Sequence, residues 1–168
     1  MYVVTGGAGF IGSNIVWALE QRGYEKIVVV DRMRDGVKWK NIAKRELYDV
    51  VHPDDLGDFL EDHGNLVKAV FHMGAISSTT ETDVDLIMDS NFRLTRDLWE
   101  WCADKGVRFI YASSAATYGS GEHGFVDHAD SAALAKLSPL NPYGWSKNLF
   151  DRRVARMMDT SEAKPPQW

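Results

Sequence analysis

The sequence predicts an α/β fold: a doubly wound parallel sheet with helices on both faces. Three observations predict it. Short apolar runs alternate with helix-length amphipathic segments along the chain. The runs are near-continuously apolar rather than alternating, as in strands covered on both faces. The first run passes directly into a glycine-rich turn and then into the first helical segment.

In chain order, strands are expected at residues 3–5, 27–30, 47–51, 69–72 and 109–112. Helical patterns fall between them at 11–22, at 53–63 and from about 83 to 105. Residues 32–46 are basic and polar and read as a loop or weak helix. Residues 119–142 are rich in Gly, Asp, Ser and Pro. A connection that long is uncommon unless it is functional or carries a helix of its own, and 131–136 supplies one. From 143 to 158 the pattern is helical again.

The bulk composition bounds the function. The chain has 168 residues, 45% hydrophobic and 26% charged, which suits one globular domain. Its net charge of −5 offers no attraction to nucleic acid or to an anionic membrane. No apolar run is long enough to span a bilayer. The start, Met1-Tyr2-Val3-Val4, enters a strand without the order of regions a signal peptide requires. The single cysteine, Cys102, excludes an internal disulfide and fits a reducing cytoplasm. It continues an apolar stripe through Val84, Ile87, Met88, Leu94 and Leu98, so it is expected in the core. No two histidines have metal-ligand spacing, so no metal is expected.

The glycine turn carries the first chemistry. Thr5-Gly6-Gly7-Ala8-Gly9-Phe10-Ile11-Gly12 lies between a strand and a helix. Glycines there permit a tight turn, close approach of backbone to a pyrophosphate, and close helix–strand packing. The helix N-terminus adds free N–H groups and a positive dipole end. An acidic residue, Asp31, ends the second strand 19 residues after Gly12, close to the ~20 that the dinucleotide fingerprint expects. The prediction is therefore a Rossmann-type nicotinamide dinucleotide domain over 1–168. Asp31 suits the adenosine ribose hydroxyls of NAD. Arg32, Arg34, Lys38 and Lys40 follow it and suit the 2′-phosphate of NADP. The cluster leans the reading to NADP, with NAD open.

Three later strand ends complete the candidate site, because open α/β sheets bind ligands there. Met73-Gly74-Ala75 offers small residues against which a ribose can lie, and His72 beside it reads as a structural histidine. Ser78-Thr79-Thr80-Glu81 matches a capping box. Ser113-Ser114 follows the fifth strand, where a hydroxyl can donate to a substrate oxygen gaining charge. Finally, Tyr143 and Lys147 lie four residues apart on a helix and share a face. A cation near a phenol lowers its ordinary pKa of about 10 and equips it as an acid or base on an alcohol.

Taken together, these residues resemble the extended short-chain dehydrogenase/reductase superfamily, its nucleotide-sugar epimerases and dehydratases. The motifs that carry the resemblance are Thr5 to Gly12, Ser114 and Tyr143-x-x-x-Lys147. Four further stretches are similar to the ADP-heptose 6-epimerases within that group: Asp35 to Lys38, Gly74 to Glu81, Ala112 to Gly119 and Pro142 to Lys147. The resemblance implies that Gly6, Gly9, Phe10, Ile11 and Gly12 hold the pyrophosphate. It places Asp31, Arg32 and Lys38 on the adenosine ribose and its phosphate. It lines the cofactor with Met73, Gly74, Ala75, Ile76, Ser77 and Asn91. Ser114 and Tyr143 would meet the substrate, and Lys147 would bind the nicotinamide ribose and tune Tyr143.

The implied reaction is oxidation at C6 of an ADP-heptose and return of hydride to the opposite face, in the synthesis of the lipopolysaccharide inner core of bacteria. The implied enzyme is a cytoplasmic homo-oligomer when full length. Its sixth strand, second base and C-terminal substrate domain fall outside these residues, so the chain by itself is expected to bind cofactor and turn over little. Alternatives are a 4-epimerase or dehydratase of the same group, or a non-catalytic cofactor-binding fragment. A dehydratase places an acidic pair after the strand-end hydroxyl, whereas Ala115-Ala116 follow Ser114 here. A non-catalytic chain has no need of both Tyr143 and Lys147.

Overall fold

The computed structural model describes residues 1–127 and 129–160. They divide into two compact units, one of Met1–Gly74 with Val107–Tyr111, the other of Ala75–Gly106 with residues 112 onward.

The first unit holds a five-stranded parallel sheet: β1 (Tyr2–Thr5), β2 (Ile27–Val30), β3 (Asp49–Val51), β4 (Ala69–His72) and β5 (Arg108–Tyr111), in the order β3-β2-β1-β4-β5. This is the predicted fold class. All four residues of β2 are buried, as β-branched residues in a covered parallel strand should be. The register aligns the carboxyl ends of neighbouring strands: Thr5 pairs with Val30 and with His72, and His72 with Tyr111. The loops that follow the central strands thus leave the sheet at one level. β3 starts two residues later than expected, at Asp49, and its first two residues face solvent at the end of the sheet.

Helix α1 (Phe10–Gln21) packs against β1 and β2 and buries Val16 and Leu19. With Val4, Ala8, Ile27, Val29 and Ile42 they form the core under the glycine turn. Full burial of each such aliphatic side chain contributes about 1.5–3 kcal/mol. The helix expected at 53–63 begins as a tight 3₁₀ turn, Pro53–Asp55, and continues as α2 (Leu56–His63). Within 32–46 there is one 3₁₀ turn, Lys38–Asn41.

The second unit is helical. The helix expected from 83 to 105 is interrupted: α3 (Val84–Ile87), a π turn (Met88–Arg93), then α4 (Leu94–Lys105), which ends on the left-handed Gly106. Cys102 is fully buried in α4, and burial pushes its thiol up to about 12. Short α5 (Ser131–Leu134) is capped by Asp130, and long α6 (Pro142–Thr160) follows. Asn141 caps α6 by accepting the Gly144 N–H at 2.8 Å.

One local expectation is corrected. Ser78–Glu81 is a turn and not a capping box. The helix starts later, at Val84, and its N-cap is Asp83, which accepts the Leu86 N–H at 3.0 Å. Glu81 instead accepts the N–H groups of Thr82 and Asp83, at 2.8 and 2.9 Å. Its carboxylate folds forward onto the next residues, which is the local competition that short acidic turns offer to a helix.

Candidate active site

The glycine turn of the first unit is built by backbone contacts that exclude side chains. Gly6 has φ +63°, in the left-handed region. A Cβ on Gly6 would stand 2.8 Å from the Cα of Gly74, and one on Gly12 would stand 2.2 Å from the Gly6 carbonyl oxygen. The Gly6 N–H donates to the Val30 carbonyl at 2.8 Å, and Gly9 N–H to Gly6 at 2.9 Å. Helix α1 opens on Gly9, which offers no side-chain cap, and its first turn carries no acidic residue. Phe10 and Ile11 are exposed. The first-turn N–H groups are therefore not answered by a capping side chain or a carboxylate, and the dipole end is not neutralised. That arrangement fits a pyrophosphate.

Asp31 is placed beside this turn and divides its carboxylate. Oδ2 accepts the Ala8 N–H at 3.0 Å, and Oδ1 pairs with Lys38 Nζ at 2.5 Å. Asn41 donates to the Ala8 carbonyl at 2.8 Å, so both backbone polar atoms of Ala8 are held. No sequence spacing marks Asn41; it arrives only because the 3₁₀ turn Lys38–Asn41 brings it back to the loop. Arg32 grips Asp54 through two nitrogens, at 2.6 and 3.2 Å, and holds that carboxyl below its ordinary pKa. Both cations expected at an adenosine phosphate thus have carboxylate partners.

At the end of β4, Thr5 ties two strands together. Its hydroxyl lies 2.7 Å from Nδ1 of His72 and accepts the Gly74 N–H at 3.0 Å. His72 is fully buried and stacks near Phe109 and Tyr111, which is the structural role expected of it. Met73 and Gly74 leave the strand half-buried beside this lock.

In the second unit Ala75 and Ile76 are half-buried and Ser77 is exposed. Asn91 is fully buried in the π turn and spends its amide on protein. Its Oδ1 accepts the Ile76 N–H at 2.7 Å, and its Nδ2 donates to the Ile76 carbonyl at 3.0 Å and to Ser146 Oγ at 3.2 Å. Asn91 therefore fixes the 75–77 segment, and any lining role it has runs through that backbone. The extra residue of a π turn is a frequent way to aim one side chain at a functional segment.

Ser114, Tyr143 and Lys147 all lie in this unit. Ser114 Oγ accepts the Ala116 N–H at 3.1 Å and so caps a 3₁₀ turn, Ala115–Tyr118. The bond uses a lone pair and leaves the hydroxyl proton for another acceptor. Gly144 allows α6 to approach this turn, since a Cβ there would stand 2.5 Å from the Ala116 carbonyl oxygen. One helical turn separates Tyr143 from Lys147. Lys147 is 2% exposed, and its ammonium donates to the Ala112 carbonyl at 2.9 Å. Burial pushes Lys147 down to about 8, against the opposing pull of Asp151. Asp151 is pushed up to about 6 by burial, opposed by the Ser113 hydroxyl at 2.5 Å and by Lys147. Sequence reasoning missed Asp151 and its bond with Ser113, although the spacing Lys147 to Asp151 repeats the spacing Tyr143 to Lys147.

Among the described residues, no three His, Cys, Asp or Glu side chains cluster as metal ligands, and no helix is long and apolar enough to cross a membrane.

Residues 2–164 match the NAD dependent epimerase/dehydratase family. The chain is 48% identical over 170 residues to an ADP-L-glycero-D-manno-heptose-6-epimerase of Fusobacterium nucleatum, a match covering all of this chain and 50% of that relative. It is similar to the crystal structure of the Helicobacter pylori ADP-L-glycero-D-manno-heptose-6-epimerase, with TM-score 0.74 and 31% identity over 92% of this chain and 50% of that one. It is also similar to the Thermus thermophilus UDP-glucose 4-epimerase solved with NAD, with TM-score 0.71 and 28% identity over 97% of this chain and 52% of that one. The chain spans about half the length of the curated relatives it matches. With a glycine turn that leaves no room for a side chain at Gly6 or Gly12, and a tyrosine–lysine pair on one helix, it belongs to the NAD dependent epimerase/dehydratase family.

Proposed function

We propose that this chain is the cofactor-binding half of an ADP-heptose 6-epimerase and that Tyr143 is its acid/base. The observation that carries the reading is Lys147: a cation 2% exposed, one helical turn from Tyr143, in a chain 48% identical along its whole length to such an enzyme. Tyr143 lies one helical turn from this buried ammonium and would exchange a proton with a sugar hydroxyl. Ser114 keeps its hydroxyl proton and can donate to the same oxygen while charge develops on it.

The glycine turn supports nicotinamide dinucleotide binding. The N–H groups of Phe10, Ile11 and Gly12 would hold the pyrophosphate, and Asp31 would face the adenosine ribose. When bound, the dinucleotide supplies a hydride acceptor that returns the hydride it takes. We further propose a preference for NADP. Lys38 offsets the charge of Asp31, which would otherwise repel a 2′-phosphate, and half-exposed Arg32 would add a guanidinium contact.

The test has two arms. This chain is titrated with NADP and NAD by calorimetry. The protein at the full length of its relatives is then assayed for epimerisation of ADP-D-glycero-D-manno-heptose, with and without Tyr143→Phe. Loss of an acid/base residue of this kind lowers turnover by roughly 10²–10⁴-fold. Undiminished turnover in Tyr143→Phe would remove Tyr143 from the mechanism, and turnover of a UDP-hexose instead would favour a 4-epimerase.

A further inference from the structure

Helix α6 carries a third polar residue in the same register as the pair already described. Tyr143, Lys147 and Asp151 follow one another at intervals of four. Lys147 and Asp151 are each tied to the segment after β5, and to adjacent residues of it. Lys147 donates to the Ala112 carbonyl at 2.9 Å, and the Ser113 hydroxyl donates to Asp151 Oδ2 at 2.5 Å. Residues 112 and 113 thus fasten two successive turns of α6. The second fastening fixes the orientation of a carboxylate one turn from a buried ammonium.

We propose that Asp151, oriented by Ser113, is a positioning residue for Lys147: it is the counter-charge that keeps the buried ammonium protonated and seated on Ala112. This rests on the reading of Lys147 as the partner of Tyr143. The argument is one of charge. Taking an isolated ammonium out of water strongly favours loss of its proton, and a nearby anion opposes that loss. Burial alone drives Lys147 toward its neutral form, and a neutral amine has one proton fewer to donate. Among the described residues, the charged and polar groups acting on Asp151 are Lys147, the Ser113 hydroxyl and, from the connection before α5, Asp127, which pushes Asp151 toward its neutral form. Ser113 therefore does more than hold geometry: its donated proton favours the carboxylate against both burial and Asp127.

The experiment follows the Lys147 side chain directly, by NMR of the full chain with isotope-labelled lysine Cε. Its signal is assigned by its disappearance in Lys147→Arg. In Asp151→Asn the amine-to-ammonium ratio of Lys147 at a given pH should rise roughly three- to tenfold. In Ser113→Ala the same change should occur on the acid side, where Asp151 takes up its proton earlier. An unshifted Lys147 titration in Asp151→Asn, in a variant whose spectrum shows a folded chain, overturns the proposal. At full length, the pH profile of kcat in Asp151→Asn should shift while KM for the sugar nucleotide holds. A shifted Lys147 signal in a protein that epimerises nothing would sink the functional reading and leave the Asp151–Lys147 coupling intact.

Discussion

Lys38 Nζ lies 2.5 Å from Oδ1 of Asp31, while the other oxygen of that carboxylate accepts the Ala8 N–H of the glycine turn. One side chain therefore shapes the glycine turn and, in the proposed complex, would set the charge beside the adenosine ribose. Lys38→Met should leave the loop in place and expose the full charge of Asp31. NADP affinity is expected to fall about tenfold relative to NAD, measured by calorimetric titration of this chain with each dinucleotide. Asp31→Ala should weaken both, because Ala8 loses its partner.

The packing of Gly12 sets a steric limit. A methyl group there would meet the Gly6 carbonyl oxygen at 2.2 Å, and backbone on both sides has nowhere to move. Gly12→Ala should cost about 1–3 kcal/mol in urea unfolding, as overpacking does, and should abolish dinucleotide binding in the fraction that folds.

Thr5 joins β1 to the turn after β4. Thr5→Val keeps the shape and removes the acceptor of the Gly74 N–H and the partner of His72 Nδ1. The expected loss is about 1–3 kcal/mol. Hydrogen exchange at Gly74 should speed up well before global unfolding, and an unchanged exchange rate would show that the hydroxyl does not hold this turn.

Stability should depend on pH through Asp151 and Lys147 in opposite senses. Asp151 keeps its proton to about 6 instead of 3.8, so between those values the folded chain binds the extra proton and stability falls as pH rises. Lys147 releases its proton at about 8 instead of 10.5, so above about 8 the unfolded chain binds more protons and stability rises with pH. Cys102, held neutral to about 12 instead of 9.0, offsets that rise between 9.0 and 10.5 and lowers stability with pH above 10.5. Denaturant melts across these windows should show the difference between Asp151→Asn and the parent chain changing between 3.8 and about 6, and a flat difference would contradict the burial of that carboxylate.

Much of the fold was legible because strands in a covered parallel sheet are written as uninterrupted apolar runs. Four of the five lie within one residue of where Val3-Val4, Ile27 to Val30, Ala69 to His72 and Phe109 place them. The Tyr143–Lys147 pair was legible for a similar reason, since helical periodicity is a property of local spacing. What escaped was long-range or competitive. Asn41 reaches Ala8 across 33 positions with no periodic signature. Asp83 outcompeted Ser78 as a helix cap because Glu81 found nearer N–H groups. The π turn around Asn91 leaves the apolar stripe of 84–98 intact, so the pattern reads as one unbroken helix. The partners of Lys38 and Arg32 depend on where two loops fold, which no motif states.

The contact of Gly6 with Gly74 has a consequence for how this sequence can change. Most crowded pairs in a protein can be rescued by a second substitution: one side chain grows and its neighbour shrinks. Here the would-be Cβ of Gly6 stands 2.8 Å from the Cα of Gly74, and Gly74 is already the smallest residue available. No compensating partner exists, so a change at position 6 cannot be relieved at position 74. Drift at position 6 has no second-site route at 74 and must instead reshape the strand ends themselves.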